Sequence, residues 1–210
     1  MNTQYQAVIV ANGKFPEHAV PLSLLQQASH VICCDGAVER VHDMGLDIEA
    51  IIGDGDSISA EMKERYRSIL HVYDEQENND LTKAVNWALA HSYTSIAIVG
   101  ATGKREDHCL GNISLLLNYA RKCKVNIFTD YGWFSAIYTS HTFTSFVRQQ
   151  VSVFNLTPQT PLTVYGLKYP IHNRCLRQWW EGSLNESEGD SFRLEFQEGE
   201  MLVFQTYDPK

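Results

Sequence analysis

The first half of the chain is punctuated by short apolar runs that each stop at a turn residue. Tyr5–Ala11 ends at Asn12-Gly13, His30–Cys34 at Asp35-Gly36, and Ala50–Ile52 at Gly53-Asp54. Ser95–Val99 ends at Gly100 and Val125–Thr129 at Asp130. Runs of this length bounded by Gly, Asn or Asp predict strands buried on both faces. Helical spacing appears between them. Leu81–His91 sets Leu81, Val85, Ala88 and Leu89 along one side and follows Asp80, a residue type suited to capping a helix start. Asp107–Arg121 carries Leu110, Ile113, Leu117 and Ala120 on one stripe and closes on Arg121-Lys122, where cations favour a helix end. Buried strands alternating with helices predict a parallel sheet.

The pattern changes near Tyr131. Beyond it the chain is rich in Thr, Ser, Val, Tyr and Phe and alternates with period two, as in Gln150–Leu156 and Leu162–Leu167. Phe192–Phe196 and Met201–Gln205, joined by Gln197-Glu198-Gly199-Glu200, read as a hairpin, and Ser183–Asp190 as a polar loop. The expected fold class is α/β: an N-terminal parallel-sheet, Rossmann-like α/β domain over residues 1–130, then a C-terminal antiparallel, β-sandwich-like domain over 131–210.

The net charge of −8 argues against a general nucleic-acid binder, which needs a basic face. It fits a cationic small substrate, or serves solubility alone. No apolar run is long enough to cross a bilayer, and the N-terminus lacks a signal-peptide layout. The cysteine count of 5 is odd and contains no C-x-x-C pair; Cys33 and Cys34 lie in an apolar strand, where packed free thiols are expected and a reducing cytoplasm follows.

The chemistry concentrates in four polar segments: Cys34-Asp35-Gly36-Ala37, Gly53-Asp54-Gly55-Asp56-Ser57, Asn79-Asp80-Leu81-Thr82-Lys83, and Gly100 through His108. The first, second and fourth directly follow strand-like runs, so their carboxylates belong at the carboxyl edge of a parallel sheet, where open α/β sheets bind ligands. Carboxylates meeting there suit Mg²⁺, and Mg²⁺ suits a nucleotide polyphosphate. Taken singly, Asp54 and Asp56 read equally as an Asp-rich turn, and Asp80 as a helix cap. Lys83, one turn on, either meets a phosphate or is solvated. In Gly100–His108 two glycines free the backbone around a ligand and Arg105 offers planar phosphate recognition. Asp107 and His108 then open a helix whose positive end favours anions. The P-loop order is absent, as are zinc-ligand spacing and a G-x-S-x-G elbow.

In these segments the chain resembles the thiamine pyrophosphokinase (thiamine diphosphokinase) family, from about Val8 to Phe204. Asp35-Gly36-Ala37 is similar to the family's Asp-Gly-Ala element, and Gly53–Ser57 to its Gly-Asp-Phe-Asp-Ser element. Asn79-Asp80 matches a Thr-Asp pair before a helix. Gly100, Gly103, Arg105, Asp107 and His108 match Gly-x-x-Gly-x-Arg-x-Asp-His. Gly166-Leu167-Lys168-Tyr169-Pro170 and Asn185-Glu186 resemble two further segments. Gly55 stands where an aromatic is usual, Asn79 where Thr is usual, and Leu184 where Ser is common.

The resemblance implies a homodimer with active sites at the subunit interface, moving a diphosphate from ATP to thiamine and releasing AMP. It implies Asp54, Asp56, Asp80 and Asp107 as the catalytic set, with Asp54, Asp56 and Asp80 on Mg²⁺. ATP would be held by Asp35, Lys83, Gly103, Arg105 and His108. Thiamine, a flat cation, calls for an aromatic face; Trp179, Trp180 and Phe204 are the candidates, with Asn185 as hydrogen-bonding partner. Phe204 reads equally as core, and adjacent Trp179 and Trp180 cannot both face one core in an extended chain. Neither a membrane nor a nucleic acid is expected as partner. A metal-dependent phosphohydrolase and a non-catalytic nucleotide- or thiamine-binding module are the competing readings.

Overall fold

The computed structural model describes residues 5–73, 75 and 77–209. The chain divides into two compact units, Met1–Asp130 and Tyr131–Lys210.

In the first unit β1 (Ala7–Val10), β2 (Val31–Cys34) and β3 (Ala50–Gly53) are buried at every position. Helices α1 (Ala19–Gln26), α2 (Ala37–Asp43) and α3 (Ala60–Arg65) connect them and lead to a short, partly exposed β4 (Leu70–Val72). Then come α4 (Asp80–Ala90), β5 (Ser95–Val99), α5 (Glu106–Ala120) and β6 (Lys124–Phe128). The strands pair in parallel in the order β6-β5-β1-β2-β3-β4. Both faces are covered, which is why the runs are continuously apolar rather than alternating.

Two helix expectations shift. Asn79, not Asp80, caps α4: its Oδ1 accepts the Thr82 N–H at 2.9 Å. Asp80 becomes the first helical residue and its carboxylate is released from capping. In α5 Leu110 is 56% exposed, and the buried side chains are Leu116, Leu117 and Tyr119. The opening turns of α5 border a polar cleft, so only its later turns need an apolar stripe.

The second unit contains β7 (Gly132–Ile137), β8 (His141–Thr144), β9 (Gln149–Asn155), β10 (Leu162–Tyr165) and β11 (Ile171–Arg174). A 3₁₀ turn (Trp179–Gly182), β12 (Asn185–Glu186), β13 (Ser191–Glu195) and β14 (Met201–Pro209) follow. Antiparallel pairing runs β12-β9-β14-β7 in one layer and β11-β10-β13-β8 in the other. Val151, Val153, Met201 and Val203 of the first layer meet Val164, Phe192 and Leu194 of the second in one apolar core.

The expected hairpin does not form. β13 pairs with β8 and β10, whereas β14 lies between β7 and β9. Both strands alternate inward apolar residues, so they oppose each other across the core instead of lying edge to edge. Residues 197–200 cross between layers, with Glu198 O accepting from Thr160 Oγ1 and Glu200 N–H donating to Thr157 Oγ1. The segment expected as a polar loop contains β12, with Asn185 and Ser187 buried.

Candidate active site

After β1 the chain leads to β2 on one side; β5, on the other side of β1, leads away to β6. Loops that diverge in this way leave a crevice at the carboxyl edge, the usual ligand position in such sheets. A cleft of about 470 Å³ opens there, walled by Asn12-Gly13, Asp35, Asp54, the start of α4, the loop after β5 and the first turns of α5. The two central turns interlock: a Cβ on Gly13 would stand 2.2 Å from the Gly100 carbonyl oxygen.

One wall is acidic. Asp35 follows β2 in a left-handed conformation (φ 40°) and is 3% exposed. Its Oδ2 accepts the Ser57 N–H at 2.9 Å, while its buried Oδ1 has no hydrogen-bond partner. Gly53 permits this placement, since a Cβ there would stand 3.0 Å from that same Oδ1. Asp54 Oδ1 accepts the Asp56 N–H at 3.0 Å, so the turn fixes its orientation. Asp80 meets the Lys83 ammonium at 3.4 Å; that ammonium also reaches the Tyr73 carbonyl oxygen at 3.4 Å. Lys83 is buried. Burial pushes the Asp80 carboxyl up; Lys83 opposes that, and the nearby Asp35 and Asp54 charges push it further up.

The other wall is basic. Gly100 and Gly103 have φ of 68° and 86°, in the left-handed region that disfavours a side chain, and let the loop double back on the sheet edge. Lys104 Nζ donates to Asn12 O at 3.0 Å and Oδ1 at 3.3 Å. Arg105 grips Asp107 through Nε to Oδ1 (3.1 Å) and Nη2 to Oδ2 (2.6 Å). That guanidinium pulls the exposed Asp107 carboxyl down to about 2, and Asp107 Oδ1 also accepts the His108 N–H.

Asp35, Asp54, Asp80, Lys83, Arg105 and His108 therefore line one cleft. Asp56 follows Asp54 on the same turn and Asp107 is paired to Arg105; neither is a lining residue, and nor is Gly103, whose N–H donates to Cys109 Sγ at 3.2 Å. Sequence reasoning missed Asn12, Lys104, Cys109 and Asn112. Asn112 falls four residues after His108 and three after Cys109, at helical spacing, which is the signal that could have placed it on the same face. Among the described residues no group of three or more His, Cys, Asp or Glu side chains is placed to hold a metal ion by itself. The unpaired Asp35 oxygen beside two further carboxylates nevertheless fits a hard cation that takes its remaining ligands from water and phosphate.

In the second unit Trp179 and Trp180 are both exposed, at 55% and 73%. Trp179 meets Phe154 edge-on at 6.4 Å, and Phe204 packs against Phe134 at 4.6 Å on the opposite face of β14 from Met201 and Val203. The Asn185 carboxamide is committed to backbone: Oδ1 accepts from Tyr169 and Glu186 N–H groups, and Nδ2 donates to Tyr169 O. It thereby ties Lys168-Tyr169-Pro170 to β12.

The family model described as thiamin pyrophosphokinase, catalytic domain, matches residues 22–129, and the one described as thiamin pyrophosphokinase, substrate-binding domain, matches 132–204. Thiamine pyrophosphokinase of Bacillus subtilis is 37% identical over 114 residues, 51% of this chain and 52% of that protein. Thiamine pyrophosphokinase 1 of Oryza sativa is 33% identical over 139 residues, 54% of this chain and 52% of that protein. These alignments thus span about half the length of the curated relatives. The crystal structure of thiamine pyrophosphokinase from B. subtilis superposes with a TM-score of 0.79 at 25% identity, covering 96% of this chain and 99% of that one. The yeast thiamin pyrophosphokinase structure shares the fold, with a TM-score of 0.80 at 17% identity and coverage of 98% and 88%. With its first unit matched by the catalytic-domain model and its second by the substrate-binding model, the chain belongs to the thiamin pyrophosphokinase family.

Proposed function

We propose that this protein transfers a diphosphate group from Mg-ATP to the hydroxyl of thiamine, giving thiamine diphosphate and AMP. The observation that carries the reading is the cleft itself: an unpaired buried carboxylate oxygen and two more carboxylates face a glycine loop bearing Lys104 and Arg105. Phosphoryl-type transfers depend chiefly on positioning and on neutralising phosphate charge. Asp35, Asp54 and Asp80 are the residues that would hold Mg²⁺, with Asp56 beside them on the same turn. When bound, the ion offsets charge on the phosphate oxygens. Arg105, Lys104 and the start of α5 take phosphate oxygens, and Asp107 orients the Arg105 guanidinium. Lys83 supplies positive charge from beneath the cleft through its pairing with Asp80.

Thiamine binding rests on the exposed tryptophans of the second unit, with Phe204 as a further aromatic, in a homodimer whose sites are completed by the partner copy. Trp180→Ala is expected to raise KM for thiamine about tenfold, the loss of one desolvated cation–π contact, with a smaller change in KM for ATP. Equal changes in both constants would remove Trp180 from thiamine recognition. A cytoplasmic site of action accords with the free thiols of Cys33 and Cys34, whose burial pushes both up. A nucleotide assay with and without thiamine decides the reaction. AMP formed in step with thiamine diphosphate is the expected result. ADP would contradict attack at the β-phosphorus, phosphate release without thiamine would indicate a hydrolase, and binding without turnover a non-catalytic module.

A further inference from the structure

We infer that Asn112 is a positioning residue that sets the spacing between the two walls of the nucleotide cleft, acting through a directional chain of hydrogen bonds. The inference rests on the nucleotide role proposed above. The Thr82 N–H donates to Asn79 Oδ1 at 2.9 Å, so the other end of that carboxamide, Nδ2, faces outward and donates to Asn112 Oδ1 at 3.1 Å. Asn112 Nδ2 then donates to the Ala101 carbonyl oxygen at 2.8 Å. Because a backbone N–H can only donate and a carbonyl can only accept, the two ends dictate the orientation of both carboxamides. The chain begins on the residue before Asp80 and ends in the loop that carries Lys104 and Arg105. One turn earlier on the same face of α5, Cys109 Sγ accepts the Gly103 N–H, giving the loop a second hold. Asn79, Ala101, Cys109 and Asn112 all line the cleft.

These contacts are not what holds the helices to the sheet. Leu81, Ala84, Val85 and Ala88 anchor α4, and Leu116, Leu117 and Tyr119 anchor α5. Thr82 Oγ1 and Tyr119 OH join the two helices directly at 2.7 Å. Losing the carboxamide chain should therefore leave the fold in place and let the loop drift relative to Asp80.

The test compares Asn112→Ala, which keeps a strong helix former, with Asn79→Thr, which keeps a capping oxygen but no amide donor, and with the double variant. The readouts are calorimetric affinity for a Mg²⁺-bound non-hydrolysable ATP analogue, the separate KM and kcat values, and Tm. Each single change should weaken nucleotide binding about tenfold, with a Tm change of no more than about 3 °C. The double variant should be no weaker than Asn112→Ala, since both changes cut one chain. Unchanged affinity in Asn112→Ala, factors that multiply in the double variant, or losses that track the unfolded fraction would each overturn the inference. An unmodified protein that binds the analogue yet makes no thiamine diphosphate would sink the proposed reaction and leave this relay standing.

Discussion

Asp54→Asn is expected to lower turnover about a thousandfold while the protein stays folded. Asparagine keeps the oxygen that accepts the Asp56 N–H, so the turn after β3 retains its internal bond. What disappears is one negative charge facing the cleft, next to Asp35 and Asp80. Since carboxylates crowded into one site repel each other, the variant should be no less stable than the parent in thermal unfolding. A variant with near-parental kcat would remove Asp54 from the cation site. A variant that unfolds would show that its charge serves the fold.

The second large effect is expected from the smallest change. Gly53→Ala would place a methyl group 2.9 Å from Asp35 Cβ and 3.0 Å from its unpaired Oδ1, closer than side chains tolerate. Asp35 must then swing away from the cleft, and displacements of about 1 Å near a reacting group cost roughly a hundredfold in rate. Steady-state kinetics should show that loss mainly in kcat. Unchanged kinetics would mean that Asp35 does not contribute from where it stands. Gly53 is thus required by what approaches it from β2, not by a turn.

Much of this was legible in the chain. Val31–Cys34 and Ser95–Val99 announce themselves as doubly buried strands because nothing polar interrupts them, and their final residues deliver the site motifs to one edge. The α/β class and the separate antiparallel layers follow from the change of period after Tyr131. The failures are tertiary. Alternation in Phe192–Phe196 and Met201–Gln205 is the same whether two strands share a layer or face each other, so the pattern alone cannot reject a hairpin. Asn79 and Asp80 are both good caps, and the choice between them is made by Lys83, which takes Asp80 for itself. Leu110 sits at a correct helical interval yet lies over a cleft that only the folded loops create. Asp56 and Asp107 carry the same residue type as the lining carboxylates, and no one-dimensional pattern says which way a side chain turns. Helical spacing from His108 puts Asn112 on the cleft side of α5, but what Asn112 and Cys109 bond to is not legible: Ala101, Asn79 and Gly103 are brought near only by the return of α5 across the loop.

The crossing of residues 197–200 between layers also governs how the second unit is born. β14 is synthesised after β7 and β9, yet it is the strand that separates and joins them. A growing polypeptide therefore exposes two naked hydrogen-bonding edges until Met201 onward has left the ribosome, and such edges invite pairing with neighbouring chains. Truncation before that point discards the middle of a layer, not its margin, and the nascent product should be recovered as aggregate.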